Sequence, residues 1–166
     1  MSKTKRLCVI AMLLAISIVL NLLESLLPVF VPGVRLGLAN IVILIMLYEF
    51  KPIEAFAVDL LRILLVGLLR NFLSPTFFMS LSGGVLSFFV MYLFSRLKIF
   101  SPVAVSVLGA VSHATGQVIV AIIILSSQAV VYYLPFIAIL SIATGALSGI
   151  LTNAYLKRSI TANLLN

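Results

Sequence analysis

The sequence predicts an all-α integral membrane bundle of six transmembrane helices, with both termini in the cytoplasm. Three observations lead to this fold class: an apolar composition, six long apolar runs and an uneven distribution of basic residues. Hydrophobic residues make up 63% of the 166 residues and charged residues 9%, whereas a soluble domain carries about 25% charged residues. Too few charges remain to solvate a water-exposed surface, so the chain is expected to lie in a membrane.

Six apolar runs define the predicted spans, because a spanning helix needs about 20 mostly apolar residues. The spans are Leu7–Leu27, Leu36–Phe50, Ile53–Leu73, Phe77–Leu97, Val103–Leu125 and Leu134–Leu156. No linker, repeat or low-complexity tract divides them. Residues 1–166 are therefore expected to form a single transmembrane domain.

The first two spans are separated by turn residues. The first follows the basic start MSKTKR, and its length and the lack of a cleavage motif favour a retained helix over a signal peptide. Pro28 and the Pro32-Gly33 pair end it. The second span has only 15 residues, so it is expected to be tilted, kinked or partly re-entrant.

Proline marks the start of each later span. The missing N–H of proline costs little in the first turn of a helix, where that group has no partner within the helix. The prolines at or near these starts are Pro52, Pro75, Pro102 and Pro135.

Basic residues predict the orientation, because cytoplasmic loops carry an excess of Lys and Arg. The side opposite the termini holds only Arg35 and Arg70. The side of the two termini holds Lys3, Lys5, Arg6, Lys51, Arg96, Lys98, Lys157 and Arg158. A multi-pass protein of a bacterial plasma membrane, with cytoplasmic termini, is therefore expected.

Ionisable residues at bilayer depth cost at least about 2.5–3.5 kcal/mol each, so their positions indicate candidate sites. Asp59 and Arg62 in the third span are three residues apart, which predicts an intramembrane ion pair facing the bundle interior. Arg70 lies about two turns further along the same face. It either reaches the outer interface or faces a cavity there.

A polar cavity that opens outward is a further prediction. His113 and Gln117 lie one turn apart in the fifth span and indicate either hydrogen-bonded core or a pocket lining. Arg35 precedes the second helix, and helix N-termini and arginines both favour anions. The residues expected to line the cavity are Arg35, Asn40, Arg70, His113 and Gln117.

Two points about this cavity stay open at the level of sequence. Arg35 alternatively anchors its loop among the lipid headgroups. Glu24, an acidic residue near the outer side, balances either Arg35 or Arg70.

The residue inventory argues against catalysis and cofactors. One histidine, one cysteine and four acidic residues cannot build a His/Cys metal cluster, and no acidic pair has the spacing of metal ligands. The chain lacks a Gly-x-x-x-x-Gly-Lys-Ser/Thr phosphate loop. We expect no metal, cofactor or nucleic acid, and no enzymatic activity of the chain alone.

Small residues predict where helices approach each other closely in lipid. The last span carries Gly145 and Gly149 in a GxxxG motif. The first span carries Ala11 and Ala15 at the same spacing. These positions are expected either to pack within the bundle or to dock another membrane subunit.

Four segments resemble one membrane family, known as Gx transporters or heptaprenyl diphosphate synthase component I. They are PGVRLGLANIV (Pro32–Val42), NFLSPTFFMSLSGGVLS (Asn71–Ser87), VLGAVSHATGQ (Val107–Gln117) and YYLP (Tyr132–Pro135). The likeness extends from about Ala11 to Leu156. The family is in turn similar to the substrate-binding S components of energy-coupling factor (ECF) transporters.

The ECF resemblance implies a capture subunit for a small anionic solute, energised by a membrane coupling subunit with cytoplasmic ATPases. Ala11 and Ala15 match the step that docks the coupling subunit, and Asn71 joins the candidate solute ligands. The synthase name implies a different role, as a non-catalytic accessory of prenyl diphosphate or quinone metabolism or of a membrane redox complex. That role predicts a groove facing the lipid and a synthase or redox partner.

Overall fold

The computed structural model describes residues 3–24, 37–70, 72–97, 99–125, 131–132 and 134–165, with side chains as far as residue 159. Within these ranges the chain forms six helices and no strand. They are α1 (Lys3–Glu24), α2 (Asn40–Glu49), α3 (Pro52–Arg70), α4 (Pro75–Arg96), α5 (Pro102–Leu125) and α6 (Leu134–Leu165). Four of them, α1, α4, α5 and α6, are long and apolar enough to cross a membrane. The chain is therefore a multi-pass membrane protein.

Proline begins three of these helices, as the sequence predicts. Pro52, Pro75 and Pro102 are the first residues of α3, α4 and α5. The start of α4 is also capped by Ser74, whose side chain accepts a hydrogen bond from the backbone N–H of Phe77. Such a cap satisfies one of the N–H groups that the first turn of a helix leaves without a partner.

The predicted second span, Leu36–Phe50, is too long. Gly37 has φ +82, which favours glycine, and α2 begins only at Asn40. Phe50 adopts an extended conformation immediately after Glu49. The resulting helix of 10 residues is about 15 Å long, half of the roughly 30 Å hydrocarbon core.

Two other helix ends differ from the predicted span ends. The third span was expected to reach Leu73, but α3 ends at Arg70 and Leu73 has a positive φ of 61. The last span was expected to end at Leu156, but no Gly or Pro follows there and α6 continues to Leu165. With 32 residues, α6 measures about 48 Å and exceeds the hydrocarbon core.

Helix α2 lies at the centre of the bundle and contacts the other five helices. From Ile41 to Leu47 its residues are apolar on every side, as expected for a helix segment that is surrounded by protein. Ile43, Leu44 and Met46 are fully buried. The short helix thus forms the core around which the longer helices are arranged.

Helices α4, α5 and α6 form the most closely packed part of the bundle. A Cβ atom added to Gly149 of α6 would lie 2.6 Å from Cα of Val103. One added to Gly116 of α5 would lie 2.9 Å from Cα of Gly83 in α4. The backbones therefore touch, which is how helices associate in lipid.

Polar contacts tie the helices together at one end of the bundle. Arg6 of α1 forms a salt bridge of 2.7 Å with Glu54 of α3. Tyr155 of α6 donates a hydrogen bond of 3.1 Å to Glu49 of α2. We call this the basic end, since Lys51 is also exposed here; the positive-inside rule predicts that it is cytoplasmic.

Candidate functional site

Seven buried polar residues from five helices lie in the interior of the bundle, and we call them the polar cluster. Each is at most 6% exposed. The cluster consists of Glu24, Asn40, Asp59, Arg62, Ser87, His113 and Gln117. Buried polar groups in lipid are costly and are retained for structure, a cavity or a ligand, so the cluster is the candidate site.

The cluster begins with an ion pair on α3. The guanidinium of Arg62 donates to Oδ1 of Asp59, one turn earlier in the helix. The same Nη2 atom lies 3.4 Å from Oδ1 of Asn40, at the start of α2. Both members of the pair are 1% exposed, so each charge is compensated by the other and not by water.

Asn40 connects this pair to α4 and α5. Its Nδ2 donates to Oγ of Ser87 at 3.0 Å, and that hydroxyl donates in turn to the carbonyl oxygen of Gly109 at 2.8 Å. Arg62 is ten residues into α3, about 15 Å from the basic end. The hydrogen-bonded part of the cluster therefore lies near half the depth of the hydrocarbon core.

Gly37 joins α1 to the start of α2. Its backbone N–H donates to Oε1 of Glu24, the last residue of α1. Its carbonyl oxygen accepts a hydrogen bond of 3.0 Å from the N–H of Asn40. The carboxylate of Glu24 thus already occupies the positive region before α2, where anions are favoured.

His113 and Gln117 of α5 complete the cluster beside two glycines. A Cβ atom on Gly37 would lie 3.6 Å from Cδ2 of His113. A Cβ atom on Gly83 of α4 would lie 2.8 Å from the carbonyl oxygen of His113 and 2.9 Å from Cγ of Gln117. Both polar side chains therefore lie where α2, α4 and α5 meet, closer to the end opposite the basic end than Asn40.

The structure brings together part of the predicted cavity. Asn40, His113 and Gln117 belong to the cluster, whereas Arg70 is exposed as the last residue of α3. Arg70 is eight residues beyond Arg62, about 12 Å further along the helix. The remaining predicted ligands, Arg35 and Asn71, lie outside the described residues.

Two members of the network were not expected from the sequence, Ser87 as a polar contact and Gly37 as the partner of Glu24. Ser87 follows Ser80 and Gly84 at helical spacing, and this small polar stripe is the signal that could have indicated it. For Gly37 the signal is a glycine between an arginine and a short helix. Neither signal reveals the contact itself, because each partner lies on another segment.

The electrostatics of the cluster limit what it can bind. Its described part contains two carboxylates, Glu24 and Asp59, and one guanidinium, that of Arg62. An anion that enters here needs additional positive charge. In the part of the chain that the structure describes, no group of three or more His, Cys, Asp or Glu side chains could hold a metal ion.

The predicted docking residues lie on the outside of the bundle. Ala11 and Ala15 are exposed on α1, next to the exposed apolar side chains of Met12, Ile16 and Val19. This face of α1 is directed toward the bilayer and not toward another helix of the described chain.

An apolar groove lies on the surface of α4 and α5, and we call it the α4–α5 groove. Its volume is about 820 Å³. It is lined by Leu73, Pro75, Phe78, Leu81, Ser82, Val85, Leu86, Phe89, Val120 and Ile124. The only polar side chain among these is that of Ser82, which donates to the carbonyl oxygen of Gly116 at 2.8 Å. The groove therefore offers an apolar surface to the bilayer.

Comparison with known proteins identifies one family. No curated protein and no solved structure matches this chain. The family model for heptaprenyl diphosphate synthase component I matches residues 13–155, a range that includes the polar cluster and the α4–α5 groove. The chain therefore belongs to the heptaprenyl diphosphate synthase component I family.

Proposed function

We propose that this chain is a membrane solute-binding subunit that resembles an S component of an ECF transporter. It captures a small solute from the side opposite the basic end and depends on a separate energising complex with cytoplasmic ATPases. One observation carries this proposal: Glu24, Asn40, His113 and Gln117 come from three helices and are buried around the start of α2, whose length is about half of the hydrocarbon core.

A half-length helix supports a solute site for a physical reason. Membrane transporters bind polar substrates near the bilayer midplane, where a discontinuous helix exposes its terminal backbone groups. Irregular backbone at this depth is tolerated only where protein or a cavity surrounds it. The turn before α2 meets this condition, because Gly37 at its start and Asn40 at its end are both buried.

An anionic solute is part of this proposal and depends on Arg35. Within the described residues, Arg62 is already engaged by Asp59 and Asn40. Arg35 precedes Gly37 by two residues, so it is the nearest cation in the sequence that could balance an anion. We propose Arg35, Asn40, His113 and Gln117 as solute ligands, and Asn71 and Arg70 as ligands at the entrance.

Docking of the coupling subunit is assigned to Ala11 and Ala15. Their exposure on α1 supports this assignment, because small residues let a partner helix approach closely. Ala11→Leu and Ala15→Leu are expected to reduce co-purification with the coupling subunit. Met12→Leu, a change of similar volume at an exposed neighbour, serves as the control.

The solute-binding role can be tested by identifying what the protein retains. The wild-type protein is purified in mild detergent, denatured and its released small molecules are measured by mass spectrometry. We expect one compound in stoichiometric amount, reduced at least tenfold by His113→Ala and by Arg35→Gln. Ser112→Ala is the matched control, because Ser112 bonds back to the carbonyl oxygens of its own helix.

The absence of any retained compound from the wild type, or its equal retention in both ligand variants, contradicts this role. Arg35→Lys tests whether positive charge alone is sufficient at this position. If it is, the lysine variant retains the anion. Loss with both substitutions indicates the paired donors of a guanidinium.

An accessory role in prenyl diphosphate formation is the second candidate. The α4–α5 groove favours it, because an isoprenoid chain requires an extended apolar surface, and the family description names a synthase component. In this role the chain holds a lipid product for a soluble catalytic partner or a membrane redox partner. Co-expression with a soluble prenyl synthase tests it: the chain increases product formation, and Phe78→Ser and Phe89→Ser abolish the increase.

A further inference from the structure

We propose that the α4–α5 groove and Arg70 together form a binding site for an anionic phospholipid of the surrounding bilayer. One acyl chain lies in the groove, and the phosphodiester contacts the guanidinium of Arg70. The groove is separate from the polar cluster. Arg70, which the solute proposal places at the entrance, is the one residue that both proposals use, and the lipid experiment below does not measure solute retention.

The apolar side chains that line the groove are exposed toward the lipid. Phe78, Leu86 and Phe89 line it and are 41%, 37% and 55% exposed. Val120 and Ile124 of α5 form the facing wall. An elongated apolar chain in the groove contacts side chains from both helices, whereas a polar solute finds only Ser82, whose hydroxyl is already bonded to the backbone.

Positive charge is available at one end of the groove. Leu73 and Pro75 line that end, and Arg70 is exposed three residues before Leu73, at most about 11 Å away along the chain. The N-terminus of α4, a helix of 22 residues, lies at the same end and favours negative charge. Ser74 and Thr76 add two hydroxyl groups, which lie 2.8 Å from each other.

The positive charge of Arg70 favours an anionic occupant. The sequence has four acidic residues: Glu24 and Asp59 are buried in the polar cluster, and Glu49 and Glu54 lie at the basic end. None of them is available to neutralise Arg70. A single guanidinium matches the one negative charge of a phosphodiester, whereas a diphosphate carries more charge than one arginine balances.

A tryptophan reporter tests the site, because the chain contains no tryptophan. Phe78→Trp places the fluorophore in the groove, and Phe136→Trp places a control on the exposed surface at the start of α6. Each protein is reconstituted in vesicles that contain brominated phosphatidylglycerol or brominated phosphatidylcholine. Quenching measures how closely each lipid approaches the fluorophore.

If the site exists, brominated phosphatidylglycerol should quench the fluorophore at position 78 about fivefold more than brominated phosphatidylcholine does. This is the ratio expected for one basic residue at an anionic surface. Arg70→Gln removes this preference and Arg70→Lys retains it, while the reporter at 136 shows no change with either substitution. Three results overturn the proposal. The first is equal quenching by both lipids at position 78, and the second is a preference for phosphatidylglycerol that survives Arg70→Gln. The third is that farnesyl diphosphate displaces the bound lipid, whereas excess phosphatidylglycerol does not.

Discussion

The carboxylate of Glu24 accepts the backbone N–H of Gly37, so the last residue of α1 is bonded directly to the turn that precedes α2. Glu24 is 1% exposed. The bond connects a peripheral helix to the central helix of the bundle beside Asn40 and His113. Its removal is expected to affect both the stability of the fold and the candidate site.

Glu24→Ala is expected to destabilise the protein, because it leaves the buried N–H of Gly37 without its acceptor. An unsatisfied buried donor costs about 1–3 kcal/mol. Thermal unfolding in detergent, followed by size-exclusion chromatography, measures the change in Tm. Glu49→Ala is the matched control: its loss removes one solvent-exposed hydrogen bond from Tyr155 and leaves no buried group unsatisfied, so a smaller change in stability is expected. Equal shifts for the two variants would contradict the prediction.

The Asp59–Arg62 pair is expected to show strong coupling. Asp59→Leu or Arg62→Met alone leaves an uncompensated buried charge, which costs about 3–5 kcal/mol, whereas the apolar replacement of both residues together costs less stability. Unfolding of the single variants and of Asp59→Leu with Arg62→Met measures this non-additivity.

The matched control for this cycle is Arg6 with Glu54 at the basic end. Their side chains are 38% and 25% exposed, and water screens such pairs, so their coupling is expected to be about 0–1 kcal/mol. A double variant of Asp59 and Arg62 that is less stable than either single variant would refute the expected coupling.

Gly83→Ala is expected to disturb the contact between α4 and α5. The new Cβ would lie 2.8 Å from the carbonyl oxygen of His113, a backbone atom that cannot move alone. Such overpacking costs about 1–3 kcal/mol and displaces His113 and Gln117. We expect a lower Tm together with lower retention of the solute. Ala143→Ser, at an exposed position of α6, is expected to change neither.

The predicted orientation can be tested by cysteine labelling. Cys8→Ser removes the single native cysteine, after which Tyr132→Cys and Lys157→Cys are introduced separately at exposed positions. A membrane-impermeant maleimide applied to intact cells should label position 132, whereas position 157 should react only after permeabilisation. The reverse pattern would place the basic end outside and refute the orientation predicted from the basic residues.

The sequence by itself determined the class of protein and most helix starts, because these depend on local properties. A long apolar run is stable in lipid wherever it occurs, and Pro52, Pro75 and Pro102 begin helices because proline lacks an N–H. The spacing of Asp59 and Arg62 within one helix likewise indicated their contact. The late start of α2 was harder to predict from the sequence, since it depends on the backbone conformation of Gly37.

Only the tertiary structure decided which polar residues meet. Arg62 and Arg70 lie on the same helix, yet Arg62 contacts Asn40 in the interior and Arg70 is exposed as the last residue of α3. Ser87 binds Asn40 across 47 residues of chain. Such contacts depend on where separate helices cross, and in lipid those crossings follow from the shapes of small residues at several interfaces at once. No local pattern in the sequence contains that information.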